Sequence, residues 1–290
     1  MRYSKDWQEY ELIDCSGGER LERWGEVILI RPDPQILWET TKEHPLWKDA
    51  HARYIRSKSG GGSWETYKKI PDSWRISFKH LSFNLKPMGF KHTGLFPEQA
   101  VNWEFIHSKI GEAVKGGRAV RVLNLFAYTG GATLAALAAG AEVCHVDASK
   151  GMTSWARENA AASSLNEKPV RWIVDDCLKF VAREIRRGSF YDVVIMDPPS
   201  YGRGPNGEIW KLEEQIYKLI ELCSRVLTEN PLCFIVNSYT TGLSPSVMNY
   251  MNGVLLCKKY GGRVWADEIG IPVSLNGLVL PCGATAVWEG

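Results

Sequence analysis

The chain has 290 residues, 44% hydrophobic and 23% charged, with a formal net charge of +2. That is enough for one large domain and a small one, and the makeup is globular rather than disordered, collagenous or repetitive. No apolar run reaches the length of a membrane span and "MRYSKDWQEY" is no signal peptide, so a cytoplasmic protein is expected. Seven cysteines without a CxxC pair and six histidines without ligand spacing argue against a disulfide framework and a metal site.

Residues 1–92 read as short strands and turns, a small β-rich domain. "EVILIRPDPQILW" is a strand broken by Pro32 and Pro34, "SKSGGGSWETYKKIPDSW" a Gly/Ser-rich loop entering a polar, aromatic segment, and "WRISFKHLSFNL" an alternating half-buried pattern. Between Arg53 and Lys91 nine Lys/Arg stand against Glu65 and Asp72, a local charge of +7. Tyr54, Trp64, Tyr67, Trp74, Phe78, Phe83 and Phe90 are interleaved with them. Cations beside stacking platforms suit a nucleic-acid surface. A β-domain with solvated lysines around an aromatic core has the same composition.

Residues 93–290 have a different texture, in which helix and strand alternate. "EQAVNWEFIHSKIGEAV" has helical spacing and ends near Gly116-Gly117; "AVRVLNLF" is a buried strand; "ATLAALAAG" is a helix closed by Gly140; "AEVCHVD" is a strand. A helix over "SKGMTSWARENAAASS", a strand "VRWIVDD", a helix "CLKFVAREIRRG", the strand "DVVIMD", a helix "LEEQIYKLIELCSRVL" and the strand "PLCFIVNS" follow. "SLNGLVLPCGATAVW" reads as a strand pair closing the sheet. Such alternation predicts a doubly wound α/β fold whose ligands sit at the carboxyl ends of the strands.

Those ends share a character. After the first strand comes "NLFAYTGGATLAA", where Gly130 and Gly131 permit a tight turn and close backbone approach, without the GxGxxG dinucleotide spacing. After the second comes Asp147, suited to two ribose hydroxyls or to capping the next helix. Asp175 and Asp176 follow the third, as adenine acceptors or caps, and Asp197-Pro198-Pro199 follows the fourth.

"VLNLFAYTGG", "CHVDASKGMTSWARENA", "WIVDDCLKF" and "DPPSYGRG" resemble, in order and spacing, the class I S-adenosylmethionine-dependent methyltransferases, and most of all the bacterial large-subunit (23S) ribosomal RNA methyltransferase family. The resemblance runs from about residue 90 to the C-terminus. It implies a Rossmann-like, mostly parallel seven-stranded sheet with helices on both faces, S-adenosyl-L-methionine as cofactor, and RNA as partner, as ribosomal RNA or a ribosome assembly intermediate. It implies that Gly130 and Gly131 flank the methionine part, that Phe126, Ala127, Tyr128 and Thr129 shape that pocket, and that Asp147 beside Ala148 holds the ribose. Asp176 and Cys177 would meet the adenine, and Gln99 in "HTGLFPEQAVNW" is a candidate contact. Two departures stand out: Ala100 and Trp103 replace the arginines many relatives carry after that glutamine, and Asn124 stands where many methyltransferases have an acid.

For the Pro-Pro pair the chemistry offers a reason. An exocyclic base amine has its lone pair delocalised into the ring. Two acceptors, the Asp197 carboxylate and a carbonyl at Pro198 whose direction the prolines fix, can draw it toward tetrahedral geometry. The usual amine version places a stacking aromatic directly after the second proline; here Ser200 stands there and Tyr201 follows. Cytosine C5 chemistry needs a cysteine thiolate, and neither "DPPSYGRG" nor "VNSYTTGLSP" has one, while Cys233 falls inside an apolar strand. Nitrogen is therefore the expected acceptor. The loop "SYGRGPNGE", with Tyr201 and Arg203, is expected at substrate entry, and Tyr239 and Thr240 in the same cleft. The rival readings are a methyltransferase with a DNA, protein or small-molecule acceptor, and a non-catalytic RNA-binding protein retaining the fold.

Overall fold

The computed structural model describes residues 1–57, 61–204, 207–240 and 242–290. Lys58 and part of the Gly/Ser-rich loop, Pro205 and Asn206 of "SYGRGPNGE", and Thr241 lie outside the described residues. The chain forms two compact units: Tyr3–Ala100 with Gly270–Cys282, and Val101–Ile269 with Met1–Arg2 and Gly283–Gly290. The expected division after residue 92 differs in three respects: the boundary falls after Ala100, Met1–Arg2 go with the second unit, and a late segment returns to the first. Residues 270–282 belong with the N-terminal unit, joined to it by backbone bonds from Ser274 and Leu275 to the carbonyls of Leu12 and Ile13.

In the N-terminal unit β1 (Tyr10–Ser16), β2 (Glu19–Trp24), β3 (Val27–Pro32), β4 (Ala52–Arg56) and β5 (Gly62–Thr66) form a sheet in chain order, and β6 (Trp74–Phe78) pairs with β7 (Leu81–Leu85). Ile13, Leu21, Ile28, Ile30 and Ala50 make its core. A buried ionic cluster lies within the unit: Arg31 grips Glu22 with two bonds of 2.6 and 2.8 Å, the Tyr10 hydroxyl donates to Glu22 at 2.8 Å, and Arg20 meets Asp33 at 2.5 Å. Each charge keeps a partner, as burial requires.

Three cations of the basic segment pair with acids outside its own stretch. Arg53 pairs with Glu19 at 2.7 Å, Lys68 with Asp49 at 2.6 Å and Lys79 with Asp6 at 2.7 Å. Lys91 donates to the Pro32 carbonyl at 3.2 Å, and burial pushes its ammonium down to about 8. Among the interleaved aromatics Tyr54, Phe78 and Phe83 are core residues, while Tyr67 and Phe90 are exposed.

The second unit carries the alternating pattern. It runs α1 (Ala100–Lys115), β8 (Arg121–Leu125), α2 (Gly131–Ala138), β9 (Glu142–Asp147), α3 (Lys150–Ala162), β10 (Val170–Val174), α4 (Cys177–Arg187) and β11 (Val193–Met196). Then come β12 (Tyr201–Arg203), β13 (Ile209–Lys211), α5 (Leu212–Ser224), β14 (Cys233–Ser238), α6 (Pro245–Asn252), α7 (Lys258–Tyr260), β15 (Arg263–Pro272) and β16 (Val279–Glu289), residues 270–272 and 279–282 of the last two strands falling in the N-terminal unit. The sheet order is β10-β9-β8-β11-β14-β16-β15, the first five parallel and β16 antiparallel to β14. This is the expected Rossmann-like sheet. Its central strands β11 and β14 are buried along their whole length, as the apolar runs Val193–Met196 and Cys233–Val236 require, with the polar Asn237 and Ser238 buried at the end of β14.

Two local readings change. The closing strand pair is β15 with β16, so the first strand begins at Arg263, upstream of the segment expected to supply both. The glycine loop is a two-stranded hairpin: Tyr201, Gly202 and Arg203 pair with Lys211, Trp210 and Ile209.

Candidate active site

Strand order decides which chain ends become neighbours. β8 lies between β9 and β11, so the tips after Leu125, Val146 and Met196 stand side by side at one edge, with adjacent parallel strands about 4.8 Å apart. The loop after β8 is conformationally costly. Phe126 and Tyr128 have φ of 53° and 50°, and Gly130 has φ of 92°. For bulky residues this is a disfavoured region, costing on the order of 1–3 kcal/mol each. Several contacts hold it. Ala127 N–H donates to the Val146 carbonyl at 3.1 Å, Gly130 N–H to the Ala127 carbonyl at 3.0 Å, and the buried Asn159 amide of α3 to the Thr129 carbonyl at 2.9 Å.

Asp147 ties this loop to the next strand end. Its Oδ2 accepts the Tyr128 N–H and its Oδ1 the Ser149 N–H, both at 2.8 Å. Ser149, not Asp147, caps α3, its hydroxyl accepting from Met152 N–H at 3.3 Å. Asp147 is thus released from the structural role the sequence left open. Each oxygen retains acceptor capacity beyond its backbone bond. Burial pushes the carboxyl above its ordinary range, and the two amide bonds oppose that shift.

At the third tip Asp176 does cap α4, accepting Lys179 N–H at 2.9 Å through Oδ1, while Asp175 pairs with Arg183. Cys177 is 3% exposed, and burial pushes its thiol well up. Asn124 is buried in a neutral chain: its amide donates to the Thr133 hydroxyl, which lies 2.9 Å from His145 Nδ1, and burial pushes that imidazole down to about 3.

The two glycines of "YTGG" have different constraints. A Cβ on Gly130 would stand 3.0 Å from that of Ala156, at a φ that side chains avoid. A Cβ on Gly131 would stand 2.6 Å from the Trp103 indole. The Trp103 ring fills the space that Gly131 leaves. Gln99 belongs to the N-terminal unit, buried at the end of the turn Pro97–Gln99.

At the fourth tip Asp197 N–H donates to the Leu125 carbonyl at 3.4 Å, seating this tip beside the first. The Pro199 carbonyl accepts the Trp210 indole N–H at 2.6 Å, whereas among the described residues no hydrogen bond is made to the Pro198 carbonyl. Ser200 joins this tip to that of β14 through its hydroxyl, 2.6 Å from that of Thr240. Tyr201 is 53% exposed and Arg203 is exposed on the hairpin. Sequence reasoning noted Trp103 only as a departure and missed Asn159 and Trp210, since nothing in their local pattern separates these two from ordinary packing residues.

The parallel sheet with its antiparallel β16, the strained loop after β8 and the acids at the following tips define the class I methyltransferase fold. Comparison agrees: a family model described as S-adenosylmethionine-dependent methyltransferase matches residues 44–228. A crystal structure of the SAM-dependent methyltransferase from Agrobacterium tumefaciens is 35% identical and superposes with a TM-score of 0.92, covering 99% of this chain and 92% of that one. The ribosomal RNA large subunit methyltransferase K/L of Shewanella sp. (strain MR-4) is 30% identical over 151 residues, 51% of this chain and 20% of that protein. That of Chromohalobacter salexigens is 28% identical over 206 residues, 70% of this chain and 25% of that protein. The chain thus spans a fifth to a quarter of the length of these curated relatives. It belongs to the S-adenosylmethionine-dependent methyltransferase family, and it is an enzyme that uses that cofactor.

Proposed function

We propose that this methyltransferase acts on a base nitrogen of RNA, with ribosomal RNA the preferred class. The observation that carries the site assignment is Asp147: a half-buried carboxylate at the tip of β9, beside the tip of β8, oriented by two backbone amides and free of the capping role. Such a group suits a ribose diol. The residues at the tips fit the cofactor on this ground. Asp147 beside Ala148 would hold the ribose, Asp176 and Cys177 would border the adenine, and Phe126 to Gly131 would enclose the methionine part, Gly131 acting through the Trp103 it accommodates. When bound, S-adenosylmethionine supplies an electrophilic methyl group on a sulfonium.

Asp197 and the Pro198 carbonyl then serve as the two acceptors for the amine hydrogens of the base, with Pro199 fixing their frame and Tyr201 available to stack. The Trp210 bond at Pro199 supports this division of labour, because it engages the second carbonyl and leaves the first. Nitrogen is favoured over cytosine C5 because neither Cys177 nor Cys233 presents an accessible thiol to the strand tips, Cys233 lying at the start of β14. Cys177 and Cys233 are buried, and the Cys233 thiol is pushed up to about 12.

RNA as acceptor draws on what the curated relatives are named for. The ion pairs of Arg53, Lys68 and Lys79 and the burial of Tyr54, Phe78 and Phe83 favour a second reading, in which the N-terminal unit is no nucleic-acid surface and the acceptor is of another class. Labelled methyl transfer into RNA from cells lacking the gene, followed by nucleoside digestion, separates the two. A labelled N-methyl nucleoside is expected; 5-methylcytidine would overturn the nitrogen assignment, and label confined to protein or DNA the RNA assignment.

A further inference from the structure

Hairpin β12–β13 has three residue pairs, too few to hold its own shape in water. Five of its six strand residues are exposed or half-exposed; Trp210, 5% exposed, is its one buried side chain. Its cross-strand partner is Gly202, where a Cβ would come within 3.4 Å of the Pro199 ring and 3.8 Å of Trp210 Cβ. Proline, glycine and indole are therefore close-packed. From there the indole reaches in two directions. Its N–H donates to the Pro199 carbonyl at 2.6 Å, and its ring lies 5.0 Å from that of Phe126 at 52°. Phe126 is the first left-handed residue of the strained loop after β8. A second tie is independent of the first: Glu208 pairs with Lys179, whose own N–H is the one capped by Asp176. Both anchors of the hairpin thus lie on segments assigned to the cofactor, while its root is the acceptor tip.

We infer that Trp210 is a positioning residue that couples the cofactor loop to the acceptor tip, so that filling the cofactor site steadies the hairpin and aligns the Pro198 carbonyl. The inference rests on the proposed assignment of the β8 loop to the cofactor and of Asp197-Pro198-Pro199 to the acceptor. Through Phe126, a ligand that orders the loop orders the indole. Through the indole N–H, the ordered ring holds Pro199, and the neighbouring carbonyl acquires one direction. Linkage makes the effect reciprocal: a steadied hairpin raises cofactor affinity by the same factor.

The test uses S-adenosylhomocysteine as probe, amide hydrogen exchange over residues 200–212 as the readout of coupling, and calorimetric affinity. In the wild type the probe is expected to slow exchange in this segment beyond any global change. Trp210→Ala should abolish the slowing and Trp210→Phe, which keeps a ring against Phe126, should retain most of it. Trp210→Phe should also bind the probe as the wild type does while single-turnover methyl transfer falls about tenfold, the effect of one lost hydrogen bond. Equal slowing in Trp210→Ala and wild type, or none in the wild type, overturns the coupling, as does unimpaired transfer by Trp210→Phe for the role of the N–H. If wild-type enzyme labels no RNA, the acceptor assignment fails, and the exchange experiment still decides the coupling.

Discussion

Asp147 Oδ2 accepts the Tyr128 N–H at 2.8 Å, and Tyr128 has a φ of 50°. One carboxylate thereby stabilises an unfavourable backbone conformation in the neighbouring loop while keeping acceptor capacity for a ligand. Removing it takes away both. Asp147→Ala is expected to weaken S-adenosylhomocysteine binding about 100-fold or more, as loss of two charge-assisted hydrogen bonds implies. Calorimetry checks it; wild-type affinity would reject the ribose assignment.

The same carboxyl sets a pH dependence. Burial raises its titration above the ordinary carboxylate range, and the ionised form is the one that accepts from hydroxyls. Binding should therefore be level above the raised value and weaken about tenfold per pH unit below it. The decline should begin at a higher pH than for an unperturbed aspartate. Asp147→Asn should bind more weakly and lose this dependence, which titrations across the acid range would reveal.

Asp197 stands at the acceptor tip, with its N–H on the Leu125 carbonyl. Asp197→Ala should reduce methyl transfer by about 100-fold or more, the usual loss for a group aligned on the reacting centre. Probe affinity should stay near that of the wild type. Single-turnover transfer beside calorimetry separates the two, and normal turnover would remove Asp197 from the mechanism.

Gly131→Ala places a methyl 2.6 Å from the Trp103 ring. Such overpacking costs about 1–3 kcal/mol and should lower the melting temperature by several degrees. Trp103→Phe, which removes the fused ring, should be destabilising alone yet recover stability in the double variant. Purely additive losses would show that the two side chains do not share this space.

Lys68, Lys69 and Lys79 test the N-terminal unit. Reversing all three to Glu should leave the melting temperature almost unchanged, because the pairs of Lys68 with Asp49 and Lys79 with Asp6 are exposed. If the unit binds RNA, affinity falls and its salt dependence becomes shallower by about two to three in slope. Unchanged RNA retention at every salt concentration identifies an ordinary solvated face.

The alternating elements and the order of acidic tips were legible in the chain because they are local. Buried strands read as apolar runs, helices close at Gly140 and Gly188, and an acid after a strand marks an end whatever lies beside it. What each tip residue does was not legible. Asp147 and Asp176 look alike in sequence, yet Ser149 relieves one of capping while the other caps α4. Phe126 and Tyr128 carry no glycine-like signal for their left-handed backbone, which is imposed by partners on β9, α3 and β13. The +7 of the basic segment is a property of the sequence; its partial cancellation by Asp6, Glu19 and Asp49 is a property of the fold. Trp210 shows the difference most directly. It sits in a polar, glycine-rich stretch, 84 residues from Phe126 in the sequence and 5.0 Å from it in space. Backbone preference and hydrophobic period act over a few residues and determine elements. Side-chain partnership depends on which strands the sheet brings together, and only the tertiary structure decided that.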